Sequence, residues 1–273
     1  MQFSRITHDF IGNIDVDNLL LNNKTDKNSI AILSPHASYF FSGDVAALSF
    51  NSVIDKEFEN VFILSTSHTA GYKGSSILNE DYNTPYGDMI INKDIIQELL
   101  SNHYAGNPSK WDLFNVIPQF FMNDHTIEIL LPLIQKSIKY KNIVPIMIGD
   151  SDVNHLKELS LSLEKYFNDE NNLFVISSDF SHYPNYEDAL FVDDETKELI
   201  LKKNSKDFID GIFKYNKSNV VTRMCGWSAY LILLFMIEKR DDIEIKFLKY
   251  KNSGEVMDKN RTVGYYSIGF VKK

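Results

Sequence analysis

The chain has 273 residues, with 28 Lys+Arg against 37 Asp+Glu for a formal net charge of −9, and it is 44% hydrophobic and 24% charged. This is the composition of a globular protein able to bury one large core rather than of a disordered chain, and with no basic stripe to neutralise phosphates, nucleic acid is not expected as a main partner. The single cysteine, Cys225, excludes an intrachain disulfide, a CxxC redox pair and an all-thiolate zinc site.

In chain order, the N-terminus lacks a basic stretch followed by an apolar one, so no signal peptide is expected. The polar stretch Asn22–Asn28 reads as a surface loop. A strand is predicted over Ser29–Ser34, a helix over Asp44–Val53, a strand over Asn60–Thr66 and a turn at Thr84-Pro85-Tyr86-Gly87. Helices follow over Lys93–Ser101 and Thr126–Ile138, then a strand over Asn142–Ile148, a helix over Val153–Phe167 and a strand over Asn172–Ser177. Helical periodicity then covers Asp188–Lys203, Lys206–Lys214 and Gly226–Lys239 before the strands Glu244–Tyr250 and Thr262–Val271. The longest apolar run, Ala229–Ile237, is far short of the roughly 20 residues that a bilayer requires. No membrane span is therefore expected, and the chain reads as cytoplasmic. Strands and helices alternate without a linker or internal repeat, which predicts a single α/β domain over 1–273 with a buried, mostly parallel sheet flanked by helices.

In open α/β sheets, ligands bind beyond the carboxyl ends of the strands. Three of the seven histidines follow predicted strand ends: His36 in Ser34-Pro35-His36, His68 in Ser65-Thr66-Ser67-His68 and His182 in Ser177-Ser178-Asp179-Phe180-Ser181-His182. Borderline metals are held by neutral imidazole and thiolate, and a catalytic site uses three protein ligands with open positions. His36, His68 and Cys225 supply such a set. Cys225-Gly226 opens the last apolar helix, where the helix dipole favours thiolate for a metal ligand or a nucleophile. The competing reading is a buried cysteine acting as a small hydrophobe.

Asp179 and His182 are three residues apart, and His125 sits in Asp124-His125-Thr126-Ile127-Glu128 ahead of a helix. Carboxylates beside imidazoles serve either as orienting or acid/base partners or as helix caps and turn ties, and both readings stand at this point. Tyr39 places a phenol near the same strand end or serves as a core tyrosine. Thr84–Gly87 is read as a turn, with a loop over the crevice as the other reading. His8, His103 and His155 are assigned to structure or solvent. The dinucleotide, P-loop, nucleophile-elbow and H-E-x-x-H motifs are absent, and no arginine follows Cys225-Gly226-Trp227-Ser228 as a cysteine phosphatase requires.

Taken together, these motifs resemble the Memo family (mediator of cell motility), whose bacterial and archaeal members are called AmmeMemoRadiSam system protein B. Ser34–Tyr39 with Ser42-Gly43 resembles its P-H-A-G-Y…S-G, Ser67-His68 its G-P-S-H, and Thr84–Gly87 its T-P-x-G. His125–Glu128 with Leu131-Pro132 resembles H-S-x-E-x-x-L-P, Val144-Pro145-Ile146 with Gly149 resembles V-P-I…G, Ser177–His182 resembles S-S-D-F-S-H, and Cys225-Gly226 resembles the late C-G. Ser38 replaces a family glycine, Ser65-Thr66 replace Gly-Pro, and residues 1–28 lack the family's A-G-x-F-Y-P segment.

The resemblance implies a fold similar to class III extradiol dioxygenases and a metal centre of His36, His68 and Cys225 holding iron or copper rather than zinc. Around it would stand His125, Asp179 and His182 as catalytic groups, with Tyr39 and Thr84 contacting substrate. The function so implied is a metal-dependent oxidoreductase acting on O2 or a small substrate. The alternatives are a non-catalytic binding or adaptor protein that keeps the pocket, or a metal-assisted hydrolase. The partner expected is a small-molecule or peptide ligand in the strand-end crevice. The resemblance also implies a functional link to a radical S-adenosylmethionine protein, a hypothesis that a gene neighbourhood lacking one would count against.

Overall fold

A computed structural model describes residues 3–4, 15–26, 28–69, 71–101, 113–122 and 124–273. His8 and His103 lie outside the described residues. The six predicted β-branched, apolar runs form β2 (Ser29–Ser34), β3 (Glu57–Thr66), β8 (Lys139–Ile148), β9 (Asn172–Ser177), β10 (Ile243–Asn252) and β11 (Gly264–Lys272), and five short strands join them: β1 (Phe3–Ser4), β4 (Ser75–Ile77), β5 (Tyr82–Thr84), β6 (Gly87–Met89) and β7 (Phe114–Asn115). The helices are α1 (Val16–Asn22), α2 (Tyr39–Asn51), α3 (Lys93–Ser101), α4 (Gln119–Met122), α5 (Leu131–Ser137), α6 (Val153–Phe167), α7 (Tyr186–Leu201), α8 (Ser205–Ile212) and α9 (Trp227–Ile237).

Eight strands form one sheet in the order β10-β11-β2-β9-β3-β8-β4-β7, and β1, β5 and β6 form a second, small one. The four central strands β2, β9, β3 and β8 run parallel, whereas β11 lies antiparallel on β2 and β4 antiparallel on β8. The result is a mixed α/β fold with a large central sheet flanked by helices. The central strands are buried on both faces, so they read as continuous apolar runs such as Val61-Phe62-Ile63-Leu64 and Leu173-Phe174-Val175-Ile176, all at 0% exposure. Helices α1 and α5 pack with α2, which covers β2, β10 and β11, while α6 packs with α9, which covers β3 and β9.

Three local departures from the predicted elements have identifiable causes. The helix expected over Thr126–Ile138 is split into a 3₁₀ turn, Glu128–Leu130, and α5, with Pro132 in the first turn of α5, where its missing N–H is not needed. Helix α2 begins at Tyr39, five residues before the predicted start, because both Tyr39 and Ser42-Gly43 are buried and no polar face marks its beginning. Helix α1 lies inside the segment 1–28 that was expected only as a divergent stretch, and Asp15 caps it by accepting from the Asn18 N–H at 3.2 Å.

Register brings the functional end together. Ser34 of β2 and Ser65 of β3 are both opposite Ser177 of β9, so three strands stop at one level. Strand β9 lies between β2 and β3, and the segments that follow all three emerge side by side.

Candidate metal centre

Beyond those strand ends, one ligand atom each from His36, His68 and Cys225 lies within 4.8 Å of the others. His36 is 2% exposed and follows β2, His68 is exposed and follows β3, and Cys225 is partly exposed just ahead of α9. The separation of His36 Nε2 from Cys225 Sγ, 3.3 Å, is close to the roughly 3.4–3.6 Å edge of a tetrahedron built from usual metal–nitrogen and metal–sulfur bonds.

The hydrogen bonds around the rings settle their tautomers. Ser177 Oγ donates its single hydrogen to the Thr126 carbonyl at 2.5 Å, so it accepts from His36 Nδ1–H at 2.8 Å and leaves His36 Nε2 with a lone pair toward Cys225. His68 Nδ1 donates to the Thr66 carbonyl at 2.9 Å, and His182 Nδ1 to the Phe180 carbonyl at 2.9 Å. Each of these three imidazoles therefore donates from Nδ1, which in a neutral ring leaves Nε2 as the acceptor. This is the state in which an outer partner orients a metal-ligating histidine. The ring of His125 stands 5.9 Å from that of His36 and 6.3 Å from that of His68.

Two buried carboxylates hold the ligand backbones. Asp179 Oδ1 accepts from the His36 N–H at 2.8 Å, and Asp124 Oδ2 accepts from the His68 N–H at 2.7 Å. Asp124 Oδ1 also accepts from the Thr126 N–H at 3.0 Å and hydroxyl at 2.6 Å. Asp179 lies against the sulfur as well, its backbone N–H donating to Cys225 Sγ at 3.2 Å, while its Oδ2 is 3.9 Å from His36 Nε2. On the far side of the cysteine, Ser178 Oγ accepts from the Gly226 N–H at 2.9 Å and so fixes the entry to α9.

Burial lowers the pKa of His36 well below its usual value, and the neighbouring His68, His125 and His182 push it the same way. His125 and His182 are also lowered by burial, partly offset by Asp124 and by the Phe180 carbonyl respectively, with His68 a smaller push downward in both. Burial raises the Asp179 carboxyl to about 7, against the His36 and Ala37 N–H groups. The thiol of Cys225 is pushed up by burial and then by Asp179. This runs against the expectation that the start of α9 would favour a thiolate: Gly226 is the N-cap, and the cysteine is desolvated beside a carboxylate. A cation would supply the positive charge that this environment lacks. Neutral imidazoles and a thiol that deprotonates on binding suit a borderline metal, so the residues present fit such an ion.

The other sequence candidates fall as follows. His182 is linked by backbone bridges to Thr222 and Val263 and faces the cluster electrostatically. Tyr39 is buried, and its hydroxyl donates to the Ile129 carbonyl at 2.7 Å. Thr84 sits in the β5–β6 hairpin, where its hydroxyl is 2.9 Å from the Gly87 carbonyl and 2.5 Å from Gln135 Oε1 and accepts from the Tyr86 N–H at 3.1 Å. His155 is buried on α6, with Nδ1 2.5 Å from Asp150 Oδ2. Sequence reasoning missed Ser177 as the orienter of His36, and Asp124 was read as a partner of its neighbour His125 or as a cap, not as the acceptor of the His68 N–H. Each lies beside a recognised motif, but its role depends on a partner more than 50 residues away.

The fold and site thus define an α/β protein with a His2Cys candidate centre at the carboxyl end of a parallel sheet core. The family model described as Memo-like protein matches residues 8–269, and the chain belongs to the Memo family. It is 31% identical to the protein memo-1 homolog of Caenorhabditis elegans over 249 residues, which is 83% of this chain and 67% of that protein. It is 29% identical to a MEMO1 family protein of Nitrosopumilus maritimus, covering 88% of this chain and 84% of that one. Among solved structures, an uncharacterized protein of Escherichia coli K12 matches with a TM-score of 0.50 and 12% identity over 87% of this chain and 98% of that chain. That likeness bears on the fold alone.

Proposed function

We propose that this Memo-family chain is a metal-dependent oxidoreductase whose His36, His68 and Cys225 hold iron or copper and whose crevice takes a small molecule or peptide. The observation that carries the reading is that one ligand atom each from His36, His68 and Cys225 lies within 4.8 Å of the others, while Ser177 and the Thr66 carbonyl engage Nδ1 of the two imidazoles. When bound, such a metal supplies Lewis acidity and one-electron chemistry at its open positions. The chain's own residues do the rest. Asp179 and Asp124 hold the two ligand backbones, and burial keeps His125 and His182 neutral so that they can accept a proton near neutral pH.

The test is elemental analysis of anaerobically purified protein, comparing wild type with Cys225→Ser and His68→Ala. Near-stoichiometric iron or copper in the wild type, lost in both variants while circular dichroism is unchanged, is the expected result. Wild type that binds neither metal after reconstitution, or variants that keep full occupancy, would overturn the assignment.

A further inference from the structure

The connection from β10 to β11 lies at the same end of the sheet as the metal centre, because β11 starts beside the end of the β9 segment: the Phe180 N–H donates to the Gly264 carbonyl at 2.8 Å, and Gly264 donates back to Ser181 at 2.9 Å. His182 is bridged on one side by Thr222, three residues before Cys225, and on the other by Val263, two residues after Arg261. Arg261 thus lies two residues from a bridge partner of His182.

Tyr183 joins the two. Its φ is +74°, a conformation that bulky L residues seldom adopt, and its N–H is held by the Thr262 carbonyl at 2.7 Å. In that conformation its ring makes an edge contact with the His182 imidazole, centroids 5.6 Å apart, and carries the Arg261 guanidinium, whose central carbon is 3.8 Å from the ring centroid. The other cation of the same loop, Lys259, lies 4.9 Å over the ring of Tyr186. Among the described residues neither cation makes an ion pair, whereas Arg223 and Arg240 are each paired with a carboxylate. The carboxylates of the loop are engaged locally, Glu255 with the Asn252 N–H and Asp258 with Asn260. A guanidinium lying on an aromatic face uses its π surface for that contact, and its N–H donors, which lie in the plane, stay available to a bidentate oxyanion.

In a chain of net charge −9, two cations of one loop without a carboxylate partner among the described residues, one of them on a ring in edge contact with His182, mark a place where an anionic group can dock. We infer that Arg261, with Lys259 beside it, is the specificity-determining anion contact of this centre, so the substrate bears a carboxylate or phosphate group that docks at the Tyr183 ring while its reacting end lies among the histidines. The inference rests on the proposed metal centre being the reacting site.

The test is an NMR titration of the full chain with benzoate, phenyl phosphate and neutral benzamide, following the Arg261 Nε–Hε and His182 ring signals, on chelator-treated and on metal-loaded protein. Saturable shifts at both residues with an anion and none with benzamide are expected, and the tighter of the two anions identifies carboxylate or phosphate as the group recognised. Arg261→Gln should weaken that binding roughly tenfold, with Arg261→Lys intermediate. Benzamide binding equally well, unchanged affinity in Arg261→Gln, or shifts that spare both residues would overturn the inference. If elemental analysis finds the metal in place while anion binding fails, this inference alone falls. A centre without metal removes the premise that the crevice is a reacting site.

Discussion

Ser177 shows how much of the centre depends on one hydroxyl. It passes its hydrogen to Thr126 and receives that of His36, so the tautomer of a buried ligand is decided by a carbonyl 51 residues away from the serine. Replacing it as Ser177→Ala leaves the Thr126 carbonyl without this donor, a loss of about 1–2 kcal/mol of stability, and frees His36 to place its proton on either nitrogen. Metal affinity, measured by competition with a chelator, should fall roughly 10–100-fold; an unchanged affinity would show that the tautomer is held by other means. Asp193 offers a second residue-scale test away from the ligands. It is fully buried, accepts from the Ser181 N–H at 2.9 Å and the Tyr250 hydroxyl at 2.8 Å, and burial raises it to about 7 against those bonds and Arg223. Its native pKa is above the unfolded one, so the native state holds more protons between about pH 4 and 7. The stability it contributes is present at the lower end of that window and is lost as pH rises toward 7. Denaturant titrations of Asp193→Asn should show a flatter pH dependence than wild type across this range, and an identical slope would contradict the assignment.

At the scale of elements, the junction between Cys225 and α9 is the least forgiving place. A Cβ on Gly226 would stand 2.4 Å from the Ser177 carbonyl oxygen and 2.6 Å from Ser178 Cβ, and a backbone atom cannot swing aside as a side chain can. Gly226→Ala should therefore cost about 1–3 kcal/mol and displace the sulfur from His36, reducing metal occupancy and the melting temperature together. Retained occupancy would mean that the helix start can shift independently of the thiol. Elements of six residues or more were largely legible in the sequence. The strands Ser29–Ser34 and Asn172–Ser177 and the helices Lys93–Ser101 and Val153–Phe167 have the bounds that their patterns predict. The two- and three-residue strands β4 to β7 were not, because a segment that short has no periodicity and exists only through its pairing partners. For the same reason Thr84-Pro85-Tyr86-Gly87 reads as a turn, which it is, without disclosing the hairpin around it or the bond from Thr84 to Gln135.

For the whole molecule, the strand order is what makes a site. With β9 between β2 and β3, the segments beginning at Pro35, Ser67 and Ser178 emerge as neighbours, and α9 delivers Cys225 to the same place. Among the described residues no helix is long and apolar enough to cross a membrane. The sequence by itself determined the α/β class, the long strands and helices, the membership in the Memo family and the three candidate ligands, because apolar periodicity and residue type are local properties of the chain. Only the tertiary structure decided that Ser177 and Asp124 bond to the segments of the candidate centre, that Tyr39 and Thr84 have hydroxyls engaged within the protein, that burial and Asp179 push the Cys225 thiol up, and that Arg261 is held on Tyr183. Each of those depends on burial or on a partner distant in sequence, and neither desolvation nor a long-range hydrogen bond leaves a trace in the order of residues.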